Sequence, residues 1–169
     1  MVTALVLSSV LSGLIATAVM LVFLYLPLLW RGAYYDTLGS IGAIYLRRVD
    51  DRSRLLGGIT LFAGGIFFAF FYGAFVLMFM LGSFPAPSYL IWPGFPLELN
   101  LFYLLVGLVG GFSQGMFMAL MTTFIITDFH PLEAFRNPFT LILSFLIGHI
   151  VYGAVAMFFQ HQLLQLLLP

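Results

Sequence analysis

Cysteine is absent from the 169-residue chain, and so is lysine. Without thiols there are no disulfides, no thiolate metal sites and no cysteine nucleophile, while the redox compartment stays undetermined. Without lysine, the only basic side chains besides histidine are six arginines, balanced by six carboxylates, so no basic surface is available to bind nucleic acid. Charge itself is scarce: 7% of residues are charged, against 63% hydrophobic and 18% aromatic, and the mean hydropathy is +1.14. A water-soluble domain of this size would not tolerate that balance, and the chain reads as an integral membrane protein.

Reactive constellations are lacking as well. There is no phosphate loop, no nucleophile with a base beside it and no pair of carboxylates at span depth. Asp128, His130 and Glu133 cluster in sequence, but their spacing matches no metal signature, and capping accounts for the two acids. Ser113 and Ser144 are suited to bonding their own helix backbone. No catalytic residue, no metal site and no enzymatic activity are expected.

What is present is four long apolar stretches in a single transmembrane domain covering residues 1–169: an all-α, polytopic bundle of four transmembrane helices with one interfacial helix. The spans are expected at about 2–29, 55–82, 100–127 and 139–160. The first follows the initiator methionine without a positive leader; Ala16-Thr17-Ala18 matches a cleavage pattern, but the apolar run continues past it and reads as uncleaved. Residues 100–127 hold no charge over about 40 Å of helix. Within them Gly107, Gly111, Gly115 and Ala119 recur every fourth position, a seam where another backbone can come close. Gly13 with Ser9, Ala16 and Thr17 in the first span, Gly65 with Ala69 in the second and Gly153 with Ala156 in the fourth suggest similar seams, sufficient to close a bundle.

The connections differ in character. Residues 31–54 hold five of the six arginines, and Asp36 is a suitable N-cap for a helix at about 36–48 whose Leu38, Ile41, Ile44 and Tyr45 would lie in the membrane interface. Residues 83–99 carry four prolines and no arginine, and read as a surface connection anchored by Tyr89 and Trp92; Trp30 plays the same part after the first span. Arginine counts of five, none and one in successive connections place the first and third in the cytoplasm, with both termini on the non-cytoplasmic side. Tyr72-Gly73-Ala74 recurs as Tyr152-Gly153-Ala154, a weak parallel repeat of two hairpins.

Two polar side chains lie at mid-span, Gln114 and His149. An unpaired amide in hydrocarbon costs several kcal/mol, on the order of 4–8, and intramembrane imidazoles call for a partner. Depth counting sets the two level, so a Gln114–His149 hydrogen bond is expected, with Tyr152 as the next partner. As alternatives to this structural pair, His149 would be an axial ligand to haem or a chlorin; His130 and His161 lie too far along the chain to supply a second ligand. No cofactor is otherwise expected.

Gly13-x-x-Ala16-Thr17-x-x-Met20, Asp36-x-Leu38-Gly39-Ser40 and Gly148-His149-x-x-Tyr152-Gly153 together resemble a group of small, four-span bacterial inner-membrane proteins of no established activity. Members of that group often carry a histidine in the second span, where this chain has Gly64-Gly65-Ile66-Phe67. The resemblance implies the architecture and a bacterial cytoplasmic membrane. The first functional expectation is a non-catalytic accessory or scaffold subunit, packed in the lipid bilayer against other subunits of a respiratory or photosynthetic complex or against itself. A small permease for a lipophilic solute and a cofactor-binding subunit using His149 are the alternatives.

Overall fold

The computed structural model describes residues 1–30, 32, 34–82, 91–92 and 99–168. Helix α1 covers Val2–Tyr25 and tightens into a 3₁₀ turn at Leu26–Trp30, where Pro27 cannot continue the α-helical ladder. After it come α2 (Thr37–Leu46), α3 (Asp51–Met80), α4 (Leu101–Phe129) and α5 (Pro138–Leu167). Four of these helices are long and apolar enough to cross a membrane. A two-residue antiparallel pairing of Ile91–Trp92 (β1) with Leu99–Asn100 (β2) precedes α4. Of the expected anchors, Tyr89 lies outside the described residues, and Trp30 and Trp92 are described in their backbone alone.

Polar residues start the helices where the sequence suggests. Asp36 caps α2 by accepting from the Gly39 N–H at 2.9 Å. Its carboxylate also accepts from the Tyr25 hydroxyl at 2.8 Å and pairs with Arg54 Nε at 3.0 Å, tying the end of α1 to the start of α3. Arg47 closes α2 in the left-handed conformation at φ 55°, and Asp50 with Ser53 opens α3 through a reciprocal capping box. That box is why α3 starts at Asp51 instead of 55. Asn137 caps α5, accepting from Thr140 N–H at 3.3 Å, with Pro138 at the first helical position. The fourth span runs to Leu167, past the expected end at 160, because Gln160 and His161 are buried in the bundle instead of marking its edge.

Helix α2 agrees with the sequence expectation in leaving its apolar residues outward. Its small-residue face, Gly39, Ser40, Gly42 and Ala43, is buried, whereas Ile44 and Tyr45 are exposed. Gly42 sits against the Ser53 carbonyl and Gly57 against that of Leu38, approaches that no Cβ would permit, so α2 and α3 form a tight antiparallel pair. The hydroxyl of Tyr35 bonds Ser40 Oγ at 2.7 Å and His130 reaches the Ser40 carbonyl at 3.1 Å, which pins α2 across one end of the bundle. Partners that bond backbone and hydroxyl groups select the small face over the aliphatic one.

The main interfaces join α4 to α5, and α1 to both α3 and α5. Gly107 packs on Gly153, Gly111 on the His149–Ile150 backbone and Gly115 on Leu146, while Gly13 meets Gly65 and Ile66. The α4 seam is therefore used on α5, and that of α3 on α1. No small-residue face remains to draw α3 and α4 together, so the bundle does not close there as the four seams had suggested. The repeated tyrosines, Tyr72 and Tyr152, meet near the middle with ring centroids 6.0 Å apart and planes at 65°.

Candidate functional site

Where α3 and α4 diverge, the gap is divided along its length. At the end remote from α2, Phe79 packs edge-on to Phe102 and Tyr103, with centroids at 4.9 and 6.3 Å. In the middle, the Tyr72 hydroxyl donates to Gln114 Oε1 at 2.9 Å. At the near end α2 lies across the opening. Two cavities result, an inner chamber of about 320 Å³ under α2 and an outer groove of about 540 Å³ between Phe68–Phe75 and 106–117.

The chamber draws its lining from all five helices. Ile41 and Tyr45 of α2 form its cover, Phe68 and Gln114 its boundary with the groove, and His149 and Tyr152 part of its wall. No Asp, Glu or Arg lines it. Its threonines at 17 and 60 spend their hydroxyl protons on their own helix, on Gly13 O at 2.7 Å and Leu56 O at 2.9 Å.

His149 is nine-tenths buried, and its Nδ1 lies 2.7 Å from the Phe145 carbonyl one turn earlier. A carbonyl only accepts, so Nδ1 carries the proton and Nε2 keeps its lone pair. No protein group among the described residues hydrogen-bonds Nε2. The imidazole is further held by stacking on Phe145, with centroids 5.7 Å apart. The chamber thus has one fixed acceptor at His149. The Gln114 amide, with its oxygen taken by Tyr72, has donor hydrogens to offer, and Thr122 adds a hydroxyl.

The Gln114–His149 hydrogen bond expected from depth is not formed. Both side chains line the same chamber, but Tyr72 reaches the amide from α3, and the imidazole turns to its own helix. Tyr152 also bonds elsewhere: its hydroxyl donates to the Gly65 carbonyl, locking α5 to α3. Depth along a helix sets height but not azimuth, and the nearer acceptor wins.

A second polar cluster was not anticipated. Gln160, fully buried on α5, accepts from Ser12 Oγ and donates from Nε2 to Ser8 Oγ at 2.8 Å and Ser9 Oγ at 3.2 Å on α1. The signal was in the sequence, as three serines within five residues of α1 and a glutamine at matching depth on α5. His161 stacks on Tyr103 at 3.9 Å, and its Nδ1 has no hydrogen-bond partner among the described residues.

His130 belongs to the framework. Its Nδ1 lies 3.1 Å from the Leu132 N–H and 3.0 Å from the Leu132 carbonyl, and its Nε2 donates to the Ser40 carbonyl, which can only accept. With both nitrogens committed it has no lone pair for a metal beside Asp128 and Glu133, and no group of three or more candidate metal ligands occurs among the described residues. His149 Nε2 is the lone pair in the chamber suited to a ligand or cofactor. Comparisons with protein-family models, curated proteins and solved structures find no match to this chain.

Proposed function

We propose that this chain is a non-catalytic membrane protein that binds a lipophilic small molecule in the chamber under α2, as a permease or carrier for such a solute would. The observation that carries the reading is His149: a nine-tenths buried imidazole, its tautomer fixed by Phe145, with an uncommitted acceptor in a mostly apolar cavity. An acceptor that faces a ligand-sized cavity with no protein partner marks a binding position. On the distribution of arginines we assign the arginine-rich α2 end to the cytoplasm and both termini to the opposite side of the membrane, and the resemblance noted above implies a bacterial inner membrane.

The test is purification in mild detergent with mass spectrometry of everything retained. A small lipophilic molecule should accompany the wild type and be lost from Gly64→Leu. A Cβ at Gly64 meets nothing within 4 Å, so that substitution fills the chamber without disturbing the helix contacts. Equal retention by the two proteins, or none by the wild type, would defeat the reading. The same experiment addresses a second reading, an accessory subunit of a larger complex, for which the outward phenylalanines Phe67, Phe71 and Phe75 on α3 would form the contact face. A stoichiometric protein partner supports that one. A visible absorption band lost in His149→Ala would instead favour a cofactor subunit.

A further inference from the structure

The chamber and the outer groove meet at two shared residues, Phe68 and Gln114, side chains that partition the gap between α3 and α4, so a ligand extending from one to the other passes at that partition. Their linings differ. The groove presents aromatic and aliphatic carbon from Phe71, Phe75, Val106, Val109 and Phe117, whereas the chamber holds the acceptor on His149 and the donors on Gln114. Neither lining contains Asp, Glu or Arg. An ionised head would therefore lose its hydration with no counter-charge to replace it. A neutral hydroxyl head has no such penalty, since its proton meets the His149 lone pair and its oxygen accepts from the Gln114 amide.

We infer that the occupant is an uncharged single-chain amphiphile of the long-chain alcohol class, with its hydroxyl in the chamber between His149 and Gln114 and its hydrocarbon tail in the α3/α4 groove. This rests on the ligand-binding reading above and adds the head chemistry, the tail position and entry from the bilayer side. The Tyr72–Gln114 hydrogen bond crosses the junction at which the tail passes from chamber to groove. By donating to Oε1, Tyr72 also turns the amide so that its N–H groups remain for the ligand.

The experiment uses the full chain in phosphatidylcholine vesicles. Three photoactivatable probes are compared: a long-chain alcohol with a diazirine near the end of its tail, the carboxylic acid of the same chain length, and a short alcohol without a tail. The long-chain alcohol should give saturable labelling of Phe71, Phe75, Val109 or Phe117 that the unlabelled alcohol competes away and the acid does not. His149→Ala should weaken that labelling by about tenfold, the effect of deleting one buried hydrogen bond. Ser113→Trp, on the exposed rim of the groove, should abolish tail labelling while the short alcohol still labels the chamber, a result independent of any loss of fold in His149→Ala. Preference for the acid, or labelling confined to the chamber, would overturn the assignment of head and tail and leave chamber binding intact. No saturable labelling by any probe, with no molecule retained on purification, would overturn both.

Discussion

A single methyl group added at Gly111 probes the α4–α5 seam at one of its closest points. A Cβ there would stand 2.9 Å from Ile150 Cα and 3.1 Å from the His149 carbonyl carbon, and closer still to the His149 oxygen. Ordinary contact begins at 3.4 Å, so α5 would have to retreat by at least 0.5 Å, the difference from 2.9 Å. The obstacle is backbone, and no side-chain rotation relieves it. Overpacking of this kind costs about 1–3 kcal/mol. Alanine in place of glycine returns up to about 1 kcal/mol through helix propensity. Gly111→Ala should therefore lose up to about 2 kcal/mol, as much as roughly a 30-fold drop in the folded-to-unfolded ratio. Gly64→Ala is the matched control, since its methyl enters open space and only the propensity gain applies. Both are read from unfolding titrations in mixed dodecyl sulfate and maltoside micelles, followed by circular dichroism. If Gly111→Ala proves as stable as Gly64→Ala, the close approach of α4 to α5 is wrong.

Three further outcomes are expected. Tyr72→Phe removes the hydrogen bond between α3 and α4 and should lower stability by about 0.6–1.7 kcal/mol while widening the gap; with no native cysteine, spin-label pairs on the two helices report that distance directly, and an unchanged distance distribution refutes the role given to the bond. Gln160→Leu strands Ser8, Ser9 and Ser12 without their shared partner and should cost about 1–3 kcal/mol in the same micelle titration, whereas a neutral result would show that the serines are satisfied by their own helix. Burial pushes the Tyr35 phenol up to about 12 from 10.0, with the Ser40 hydrogen bond acting in the opposite direction. The folded state thus favours the protonated phenol, and its contribution is complete below pH 10 and is lost as pH rises through about 12. Tyr35→Phe should flatten that part of the alkaline stability profile, and an identical profile would contradict it.

Helix placement was legible because it depends on local signals. Asp36 as a cap, Asn137-Pro138 as a start and uncharged runs of bilayer length are each decided by a few neighbouring residues, and the structure agrees with them. The seams were legible too, since glycine at every fourth position specifies a face without requiring knowledge of the partner. Which seam meets which was not. Gly65 facing Thr17, and Gly111 facing His149, follow from how four helices share their sides, and that sharing leaves α3 and α4 apart. The same limit explains His149: its depth was readable, but the choice between Gln114 and Phe145 depended on rotation about the helix axis and on a competitor, Tyr72, from a third helix. Helix α2 was placed correctly, with Ile44 and Tyr45 left exposed as an interfacial stripe would be, but the docking of its opposite face on α3, where Gly42 meets Ser53 and Leu38 meets Gly57, was not readable from α2 alone.

The contact between Gln160 and the serines of α1 bears on how the rods are set in height. Small residues at 9, 13 and 17 form a ratchet whose notches look alike, and sliding by one notch, about 6 Å, would seat nearly as well. The amide breaks that degeneracy. It meets three hydroxyls at the observed setting and a single one, that of Ser12 or Ser8, after a slip of four residues, so this side chain acts as the detent that keeps α1 and α5 from creeping past each other.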